Sequence, residues 1–310
     1  MATVALLVRT VRTDAAELAA STAAWLDSLG HRARVLRIDP EDKVREDGVV
    51  TDLSAVDLSD VDLAVSLGGD GTFLRVAPIA CTARVPVMGV NFGRLGYLME
   101  IAPDALRQAL RRALDGELAV EERSVLSISV DGEITPSRAR DRFVADAPDL
   151  DVDAGVSGGR RSWMALNEVV TEKTVPGHTV HLATSIDGEL FLEYSADGVI
   201  VATPTGSTAY NLSAGGPALS PRLAAMILTP IAPHLSIDRS LVLDAGQTVT
   251  VNVSGGRPAV LVVDGRDVGR LSPGAQVTCR IATEPVRVLS LGERGFAGDL
   301  RSALAIDPRR

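Results

Sequence analysis

In the first 118 residues, short apolar runs alternate with stretches in which apolar residues recur at helical spacing. The strands predicted from the runs are 3–8, 32–38, 62–67 and 85–91. The helices predicted from spacing and end signals are 14–29, about 72–82 and 103–116. Pro78 is expected to bend or shorten the second helix. Residues 41–60 are polar with scattered apolar positions, which predicts a loop with an edge segment. Strands separated by helices in this way predict βαβ units with a parallel sheet.

After Gly116 the pattern changes to short alternating runs separated by Gly or Asp-Gly, which is typical of β-hairpins. Trp163–Val170 is one such predicted strand. Residues 132–162 show little periodicity and predict a long mobile loop or insertion. Apolar residues at helical spacing predict a last helix over 293–306. We therefore expect an α/β domain over 1–118, a β-rich, sandwich-like domain over 119–290, and a C-terminal helix within 291–310 that packs back on the first domain.

Composition narrows the function classes. A length of 310 residues is enough for two domains, and 46% hydrophobic residues with 3% aromatics predict cores of Val, Leu, Ile and Ala. A net charge of −9 gives no basic surface for nucleic acid. No apolar run approaches the ~18 residues that span a membrane, and the start lacks a signal peptide's basic flank, so a cytoplasmic protein is expected. Cys81 and Cys279 are interpreted as reduced, buried residues.

The segment Gly68-Gly69-Asp70-Gly71-Thr72 follows a predicted strand and precedes a predicted helix. Three glycines let backbone N–H groups approach an anion where a Cβ would block it. A carboxylate beside bound phosphate is repelled unless it holds a metal ion or accepts a proton, so Asp70 is the candidate functional group. The alternative is a tight turn in which Asp70 only caps the helix. Arg75, taken alone, is more often a solvated helix charge.

A second segment, Asp197–Pro217, ends a predicted strand in a turn crowded with hydroxyl groups and small side chains. Small side chains let a flat ligand lie close to the backbone, while hydroxyl and N–H groups supply donors. Asn167-Glu168 adds an amide and a carboxylate, which suit ribose hydroxyls and adenine edges. Ordinary turn chemistry would explain a few of these residues but not their density. Ser207 or Thr208 as a nucleophile lacks an identifiable base.

Together these motifs resemble those of bacterial NAD kinases, in the same order, from about Ala64 to the end of the chain. The motifs that carry the resemblance are Gly68–Thr72, Asn91–Tyr97, Ala165–Val169, Asp197–Pro217, Leu228–His234 and Leu291–Phe296. Gly-Gly-Asp-Gly alone is also found in lipid kinases and phosphofructokinases of the same superfamily. The Asn-Glu pair with Thr-Pro-Thr-Gly-Ser-Thr-Ala-Tyr is more specific.

The resemblance implies that Asp70 accepts the proton of the adenosine ribose 2′-hydroxyl of NAD. The residues it places on NAD are Asp70, Gly71, Arg75, Asn167, Glu168, His178, Ser195, Asp197, Thr208, Ala209, Tyr210, Asn211, Leu212, Ser213 and His234. Those it places on the donor phosphates are Gly68, Gly69, Gly71, Thr72 and Phe73. Ser195 falls at a variable family position thought to affect discrimination between NAD and NADH.

The resemblance further implies ATP or polyphosphate as phosphoryl donor, and Mg²⁺ carried by the donor phosphates with Asp70 as a candidate ligand. It also implies catalysis between the two domains and a homo-oligomer, a dimer or tetramer. Leu235-Ser236, Arg266 and the length of 132–162 depart from the family pattern and leave substrate detail open. Two alternatives remain at this point: a lipid or sugar kinase, and a non-catalytic nucleotide-binding regulator.

Overall fold

A computed structural model of the chain describes residues 1–39, 42–93, 98–137, 161–234, 236–292 and 295–303. The described residues form two compact units. One unit comprises the chain up to Arg123 together with the part from Glu284 onwards, and the other comprises Ser124–Thr283. For comparison, the boundaries expected from the sequence follow residues 118 and 290. Each unit is described by itself below.

The described residues contain five α-helices and 21 β-strands. The helices are α1 Thr13–Ser28, α2 Asp70–Thr82, α3 Leu106–Leu114, α4 Tyr210–Ser213 and α5 Phe296–Ala303. The strands are β1 Thr3–Arg9, β2 Arg32–Ile38, β3 Lys43–Glu46, β4 Val49–Asp52, β5 Leu63–Gly68, β6 Val87–Asn91, β7 Ala119–Arg123, β8 Leu126–Asp131, β9 Ile134–Thr135, β10 Arg161–Ala165, β11 Glu168–Lys173, β12 Val180–Ile186, β13 Glu189–Ala196, β14 Gly198–Ala202, β15 Ala225–Ile231, β16 Leu241–Asp244, β17 Val249–Val253, β18 Ala259–Val263, β19 Arg266–Leu271, β20 Gln276–Ile281 and β21 Val286–Ser290. Short 3₁₀ turns occupy Leu53–Ala55, Pro103–Ala105 and Gly206–Thr208.

The first unit contains one eight-stranded sheet in the order β4-β3-β2-β1-β5-β6-β21-β7. Its centre is parallel, from β2 through β1, β5 and β6 to β21. The hairpin β3–β4 and the strand β7 pair antiparallel at the two edges. The predicted parallel sheet is therefore confirmed, with antiparallel edges that the pattern did not specify. Strand β21 comes from the far end of the chain and lies between β6 and β7.

Helices cover both faces of this sheet, which explains its near-continuous apolar strands. The α1 and α3 helices pack on one face, against alternate residues of β1 and β5 such as Leu6 and Val65. The α2 helix lies on the other face, where a Cβ at Gly89 of β6 would meet Phe73 at 3.0 Å. The α2 helix runs through Pro78 to Thr82, so the expected shortening at Pro78 does not occur.

The second unit is built from two antiparallel sheets, six-stranded β10-β8-β20-β17-β12-β13 and seven-stranded β16-β15-β14-β11-β18-β19-β9. One apolar core contains residues of both sheets, for example Ile128 and Val251 of the first with Val201 and Leu261 of the second. The sheets therefore pack face to face as a sandwich. The predicted β-rich domain is confirmed.

The outer face of the seven-stranded sheet is also buried at its centre. Ile200 and Ala202 of β14 form a second apolar cluster with Ile227 of β15, and Ala214 and Leu219 pack against it. The chain that leaves β14 thus folds back over its own sheet. This return places the hydroxyl-rich segment against the strand ends.

Several expected features lie outside the described residues or are modified by the structure. Residues 138–160 of the expected insertion, Arg94–Tyr97, Leu235, Glu293-Arg294 and residues 304–310 are not described. The last helix is described over Phe296–Ala303. Cys81 and Cys279 are buried and free, as predicted. Within the described ranges, no helix has the length and apolarity that a membrane crossing requires.

Candidate functional site

In the first unit, the glycine segment joins β5 to α2. Strand β5 ends at Gly68, Gly69 is the N-cap residue, and α2 begins at Asp70. The N-cap position is thus taken by a residue without a side chain, and Asp70, the first helical residue, does not occupy it. A Cβ at Gly68 would lie 2.8 Å from Cβ of Thr72, whereas one at Gly69 would meet nothing within 4 Å. The turn thus needs glycine at position 68, and position 69 leaves open space beside the backbone.

Asp70 has an oxygen atom that the fold leaves unsatisfied. Its Oδ1 is buried and finds no hydrogen-bond partner among the described residues. Burial raises the pKa of the Asp70 carboxyl above its ordinary value. An unsatisfied buried acceptor costs free energy in the absence of a partner, so its retention points to a ligand or a proton.

Arg75 is buried, and its guanidinium group is bound within the unit. Its Nε donates to Oδ1 of Asp42 at 2.9 Å, and its Nη1 donates to the carbonyl of Gly71 at 2.8 Å. Both partners of the ion pair are nearly inaccessible, with side chains 7% and 1% exposed. The interpretation of Arg75 as a solvated helix charge is therefore wrong. The side chain instead connects the glycine segment to the residue preceding β3.

The end of β6 lies beside the glycine segment. Gly68 is the register partner of Asn91, and the N–H of Phe92 donates to the carbonyl of Gly68 at 2.9 Å. An open cavity of about 570 Å³ is present here. It is lined by Asp14, Leu18, Asn91, Phe92, Gly93, Pro103 and Asp104. Carboxyl ends of parallel strands form the usual ligand-binding edge of such sheets, and two predicted motifs meet at this one.

In the second unit, Asn167-Glu168 lies at a strand start rather than within a strand. The predicted single strand Trp163–Val170 is divided into β10, which ends at Ala165, and β11, which begins at Glu168. Asp264, in the turn between β18 and β19, accepts hydrogen bonds from the N–H groups of residues 166, 167 and 168. On the other side, the N–H of Thr203 donates to the carbonyl of Asn167 at 2.8 Å.

Glu168 is buried, and its Oε2 has no hydrogen-bond partner among the described residues. Burial and the neighbouring charge of Asp264 raise the pKa of Glu168 to about 8, against a lowering by the N–H of Tyr210. The group is therefore mostly protonated at neutral pH. A protonated carboxyl both donates and accepts hydrogen bonds, as a sugar hydroxyl or a base edge requires.

The hydroxyl-rich segment is held largely by its own side chains. Ser207 Oγ donates to the carbonyl of Pro204 at 2.6 Å and is buried, which does not suit a nucleophile. Asn211 is fully buried, donates from Nδ2 to the carbonyl of Ser207, and accepts from Thr229 Oγ1 at 2.7 Å. Tyr210, in contrast, is 41% exposed. Burial and nearby carboxylates, Glu172 first, raise the pKa of Tyr210.

A further group gathers at the end of β13. Lys173 Nζ donates to Oδ1 of Asp197 at 2.7 Å, and Ser195 Oγ donates to Oγ1 of Thr179 at 3.2 Å. The N–H of His234 donates to the carbonyl of Ser195 at 2.8 Å. The structure thus brings the predicted residues Ser195, Asp197 and His234 together.

Comparison with known proteins assigns both units to one family. The model of the ATP-NAD kinase N-terminal domain matches residues 4–118, and that of the ATP-NAD kinase C-terminal domain matches residues 166–291. A protein named NAD kinase from Heliobacterium modesticaldum is 39% identical over 248 residues, 80% of each chain. NAD kinase 1 of Streptomyces coelicolor is 35% identical over 315 positions, covering 98% of this chain and 85% of that protein. The chain belongs to the NAD kinase family.

Solved structures show the same fold. A yeast NADH kinase complexed with NADH superposes with a TM-score of 0.78 at 21% identity, over 99% of this chain and 89% of that chain. An NAD kinase from Archaeoglobus fulgidus in complex with ATP gives a TM-score of 0.67 at 24% identity, over 97% of this chain and 99% of that chain. The lipid-kinase alternative loses its support, because the matching family models and these relatives are NAD kinases.

For a member of the NAD kinase family, the remaining candidate positions have varied environments. His178 is exposed before β12, and Ser213 is exposed at the end of α4. Thr208, Ala209 and Leu212 are half-buried. Arg266, one of the departures from the family pattern, is buried; burial raises the pKa of Asp264 to about 6, and the charge of Arg266 opposes that rise. The contacts of all these positions with substrate stay predictions.

Sequence reasoning missed three residues that hold the candidate side chains in place. Asp42 pairs with Arg75, Lys173 with Asp197, and Asp264 with the backbone of Asn167 and Glu168. A signal existed for Lys173, because the chain has only two lysines, Lys43 and Lys173. None existed for Asp264, since Asp-Gly also occurs in ordinary hairpin turns.

Proposed function

We propose that this protein phosphorylates the adenosine ribose 2′-hydroxyl of NAD with ATP or polyphosphate, giving NADP. The observation that carries the proposal is a buried oxygen of Asp70, at a glycine-rich helix start, that finds no partner among the described residues of this NAD kinase family member. Phosphoryl transfer requires of the protein mainly positioning and charge stabilisation. Both units supply groups of that kind.

Asp70 serves as the proton acceptor. The hydroxyl O–H bond breaks, its proton passes to Asp70, the oxygen forms a bond to the transferred phosphorus, and the shortened donor leaves with the former bridging oxygen. An alcohol is a weak nucleophile until that proton leaves. The raised pKa of Asp70, caused by burial, makes its carboxylate a stronger base than an exposed aspartate.

NAD is held by the second unit. The protonated Glu168 and the half-buried Asn167 offer donors and acceptors to ribose hydroxyls and the adenine edge. A neutral Glu168 also avoids repulsion of an anionic dinucleotide in a protein of net charge −9. The other residues predicted to bind NAD in this unit are His178, Ser195, Asp197, Thr208, Ala209, the α4 residues Tyr210–Ser213, and His234.

Mg²⁺ accompanies the donor phosphates. Within the described residues no group of three or more His, Cys, Asp or Glu side chains could hold a metal ion. Mg²⁺ usually binds through one or two carboxylates together with substrate phosphates and water, and the single buried oxygen of Asp70 fits that pattern. Bound there, the ion would neutralise charge on the transferred phosphoryl group.

The direct test is to incubate purified protein with Mg²⁺ and each pairing of donor and acceptor. The donors are ATP and polyphosphate, the acceptors are NAD and NADH, and the products are separated by chromatography. NADP from NAD with either donor supports the proposal. No phosphorylated product in any pairing would contradict it and favour the non-catalytic nucleotide-binding regulator.

The expected homo-oligomer, dimer or tetramer, and the cytoplasmic location stay predictions. Light scattering of the purified protein measures the first, and fractionation of cells that express it measures the second.

A further inference from the structure

A carboxylate outside the predicted site contacts the backbone of two predicted site residues. Asp264 forms, with Gly265, the two-residue turn between β18 and β19, and both have positive φ, 46° and 75°. The turn backbone is part-exposed, but the carboxylate faces inward. Its Oδ2 accepts from the N–H of Leu166 at 2.8 Å, and its Oδ1 accepts from Asn167 at 2.8 Å and Glu168 at 3.1 Å.

With these bonds, every backbone polar group of residues 166–168 has a partner. The carbonyl of Leu166 accepts from Thr203 Oγ1 at 2.6 Å, and that of Asn167 accepts from Thr203 N–H at 2.8 Å. The carbonyl of Glu168 accepts from the N–H of Asp264 at 3.0 Å. Thr203 and Asp264 thus hold the segment from both sides.

The position explains why a carboxylate is needed there. Leu166 and Asn167 lie between β10 and β11, outside both strands, and their N–H groups point with that of Glu168 toward one carboxylate, Leu166 to Oδ2 and the other two to Oδ1. Successive N–H groups that converge in this way form a concavity for an anion. A charged acceptor forms stronger hydrogen bonds than a neutral one, so Asp264 orders the segment more firmly than a hydroxyl or amide would.

The turn itself does not require this arrangement. Asp187-Gly188 forms the same kind of turn between β12 and β13, with φ of 51° and 84°. The carboxylate of Asp187 is exposed and accepts from the N–H of Thr248 at 2.8 Å and from Gln247 Nε2 at 3.1 Å. The inward-facing carboxylate of Asp264 is therefore specific to the Asn167-Glu168 side of the sandwich.

We propose that Asp264 is a positioning residue for NAD binding: by fixing the backbone of residues 166–168, it sets the direction of the Asn167 and Glu168 side chains. The inference rests on the proposed function, in which those two side chains bind NAD. Groups held in advance in the binding geometry lose less entropy when the ligand binds. Loss of Asp264 should then weaken NAD binding more than it slows the chemical step.

The test compares Asp264→Ala, Asp264→Asn and Asp187→Ala with the wild type. The measurements are the dissociation constant of NAD by calorimetry, and kcat and KM with saturating ATP and Mg²⁺, each corrected for the active fraction. Misplaced contacts can cost a factor of ten or more, so for Asp264→Ala we expect roughly a 10-fold or larger rise in Kd and KM for NAD, with kcat within about 3-fold. The matched turn variant Asp187→Ala should have the same Kd, kcat and KM as the wild type.

Asp264→Asn keeps a hydrogen-bond acceptor but removes the negative charge, so it distinguishes positioning by hydrogen bonds from an effect of charge. It also replaces Asp264→Ala in the test if that variant does not fold. Its side-chain oxygen can still accept the two N–H bonds of Asn167 and Glu168, but its amide nitrogen cannot accept that of Leu166, so we expect an NAD affinity between that of Asp264→Ala and that of the wild type. An Asp264→Asn protein as weak as Asp264→Ala, or an Asp264→Ala protein with wild-type Kd and KM, would overturn the inference alone. A wild-type protein that neither binds nor phosphorylates NAD would overturn the proposed function as well.

Discussion

The glycine segment of the first unit and the Asn167-Glu168 segment of the second are held in place by different kinds of contact. Each presents a buried carboxyl oxygen, on Asp70 and on Glu168, that has no hydrogen-bond partner in the part of the chain that the structure describes. The first segment is supported from behind by a side chain, since Arg75 binds the carbonyl of Gly71 and the carboxylate of Asp42. The second is supported through its own backbone, by Asp264 and Thr203.

The electrostatic surroundings of the two carboxyl groups differ as well. Only burial raises the pKa of Asp70, whereas burial and the charge of Asp264 together raise that of Glu168 to about 8. Asp70, as the base, must be deprotonated before the reaction. Glu168, as a binding group, can donate a hydrogen bond to NAD only while it keeps its proton. Fuller burial, together with a second carboxylate nearby, therefore distinguishes the predicted binding acid from the half-buried predicted base.

The largest expected effect comes from removing the support of the first segment. Arg75→Ala leaves Asp42 charged and buried, which should lower the free energy of unfolding by about 3–5 kcal/mol. Denaturant unfolding measures this. The control is Arg32→Ala, which removes the exposed pair with Asp60 and should cost within about 1 kcal/mol. Equal losses in the two variants would show that the buried pair gives no special support.

Asp70→Asn tests the role of the first carboxyl group. Because asparagine cannot accept the proton, turnover should fall by about 10²-fold or more, while the dissociation constant of NAD stays within about 3-fold. Single-turnover kinetics and calorimetry give the two numbers. Asp27→Asn, an exposed change on α1, should leave both unchanged. Near-wild-type turnover of Asp70→Asn would remove the assignment of Asp70 as base.

Gly206→Ala tests the tight support of the second segment. A Cβ at Gly206 would lie 2.6 Å from Cα of Asn167, and a backbone cannot move aside as a flexible side chain can. We expect a loss of about 1–3 kcal/mol in stability, with weaker NAD binding. Gly69→Ala is the counterpart in the first unit, where no described atom lies within 4 Å, and should cost about 1 kcal/mol or less, the difference between glycine and alanine at an N-cap.

Gly69→Ala also tests phosphate binding at the first segment. If donor phosphates approach the backbone at Gly69, this variant should bind ATP more weakly although it stays folded, because the new Cβ occupies the open space. Unchanged ATP affinity would argue against phosphate contact at this position.

The smallest expected effect is a pH dependence from Glu168. The folded protein holds the Glu168 proton up to about pH 8, whereas an unfolded chain releases it near pH 4.5, so Glu168 destabilises the fold increasingly as pH rises between those values. Glutamine does not titrate. The melting temperature of Glu168→Gln minus that of the wild type should therefore increase by about 2 °C or more from pH 5 to pH 8.

Besides burial, the charge of Asp264 and the N–H of Tyr210 act on the pKa of Glu168, and burial raises the pKa of Asp264 itself to about 6. The control is Glu189→Gln, an exposed change on β13, whose melting temperature should follow the wild type at every pH. A Glu168→Gln curve parallel to the wild type would mean that Glu168 is ionised throughout.

The local pattern of apolar and polar residues predicted the helices and strands well, but not the residues that hold the candidate side chains in place. The predicted strand 32–38 matches β2, and the turn at Gly68–Thr72 lies where the pattern placed it. Asp42 could not be found this way, because it lies in a polar stretch 33 residues from Arg75 and is defined only by the folded ion pair. The protonation of Glu168 likewise depends on burial and on Asp264, 96 residues away. Pairings between distant residues leave no periodic signal in the sequence.

Strand β21 has a consequence for how the chain is made. It lies between β6 and β7 in the first sheet, although about 160 residues of the second unit are synthesised before it. Until the ribosome delivers Val286–Ser290, β6 keeps an open edge and β7 lacks its partner. During synthesis the sandwich of the second unit can therefore close before the sheet of the first is complete.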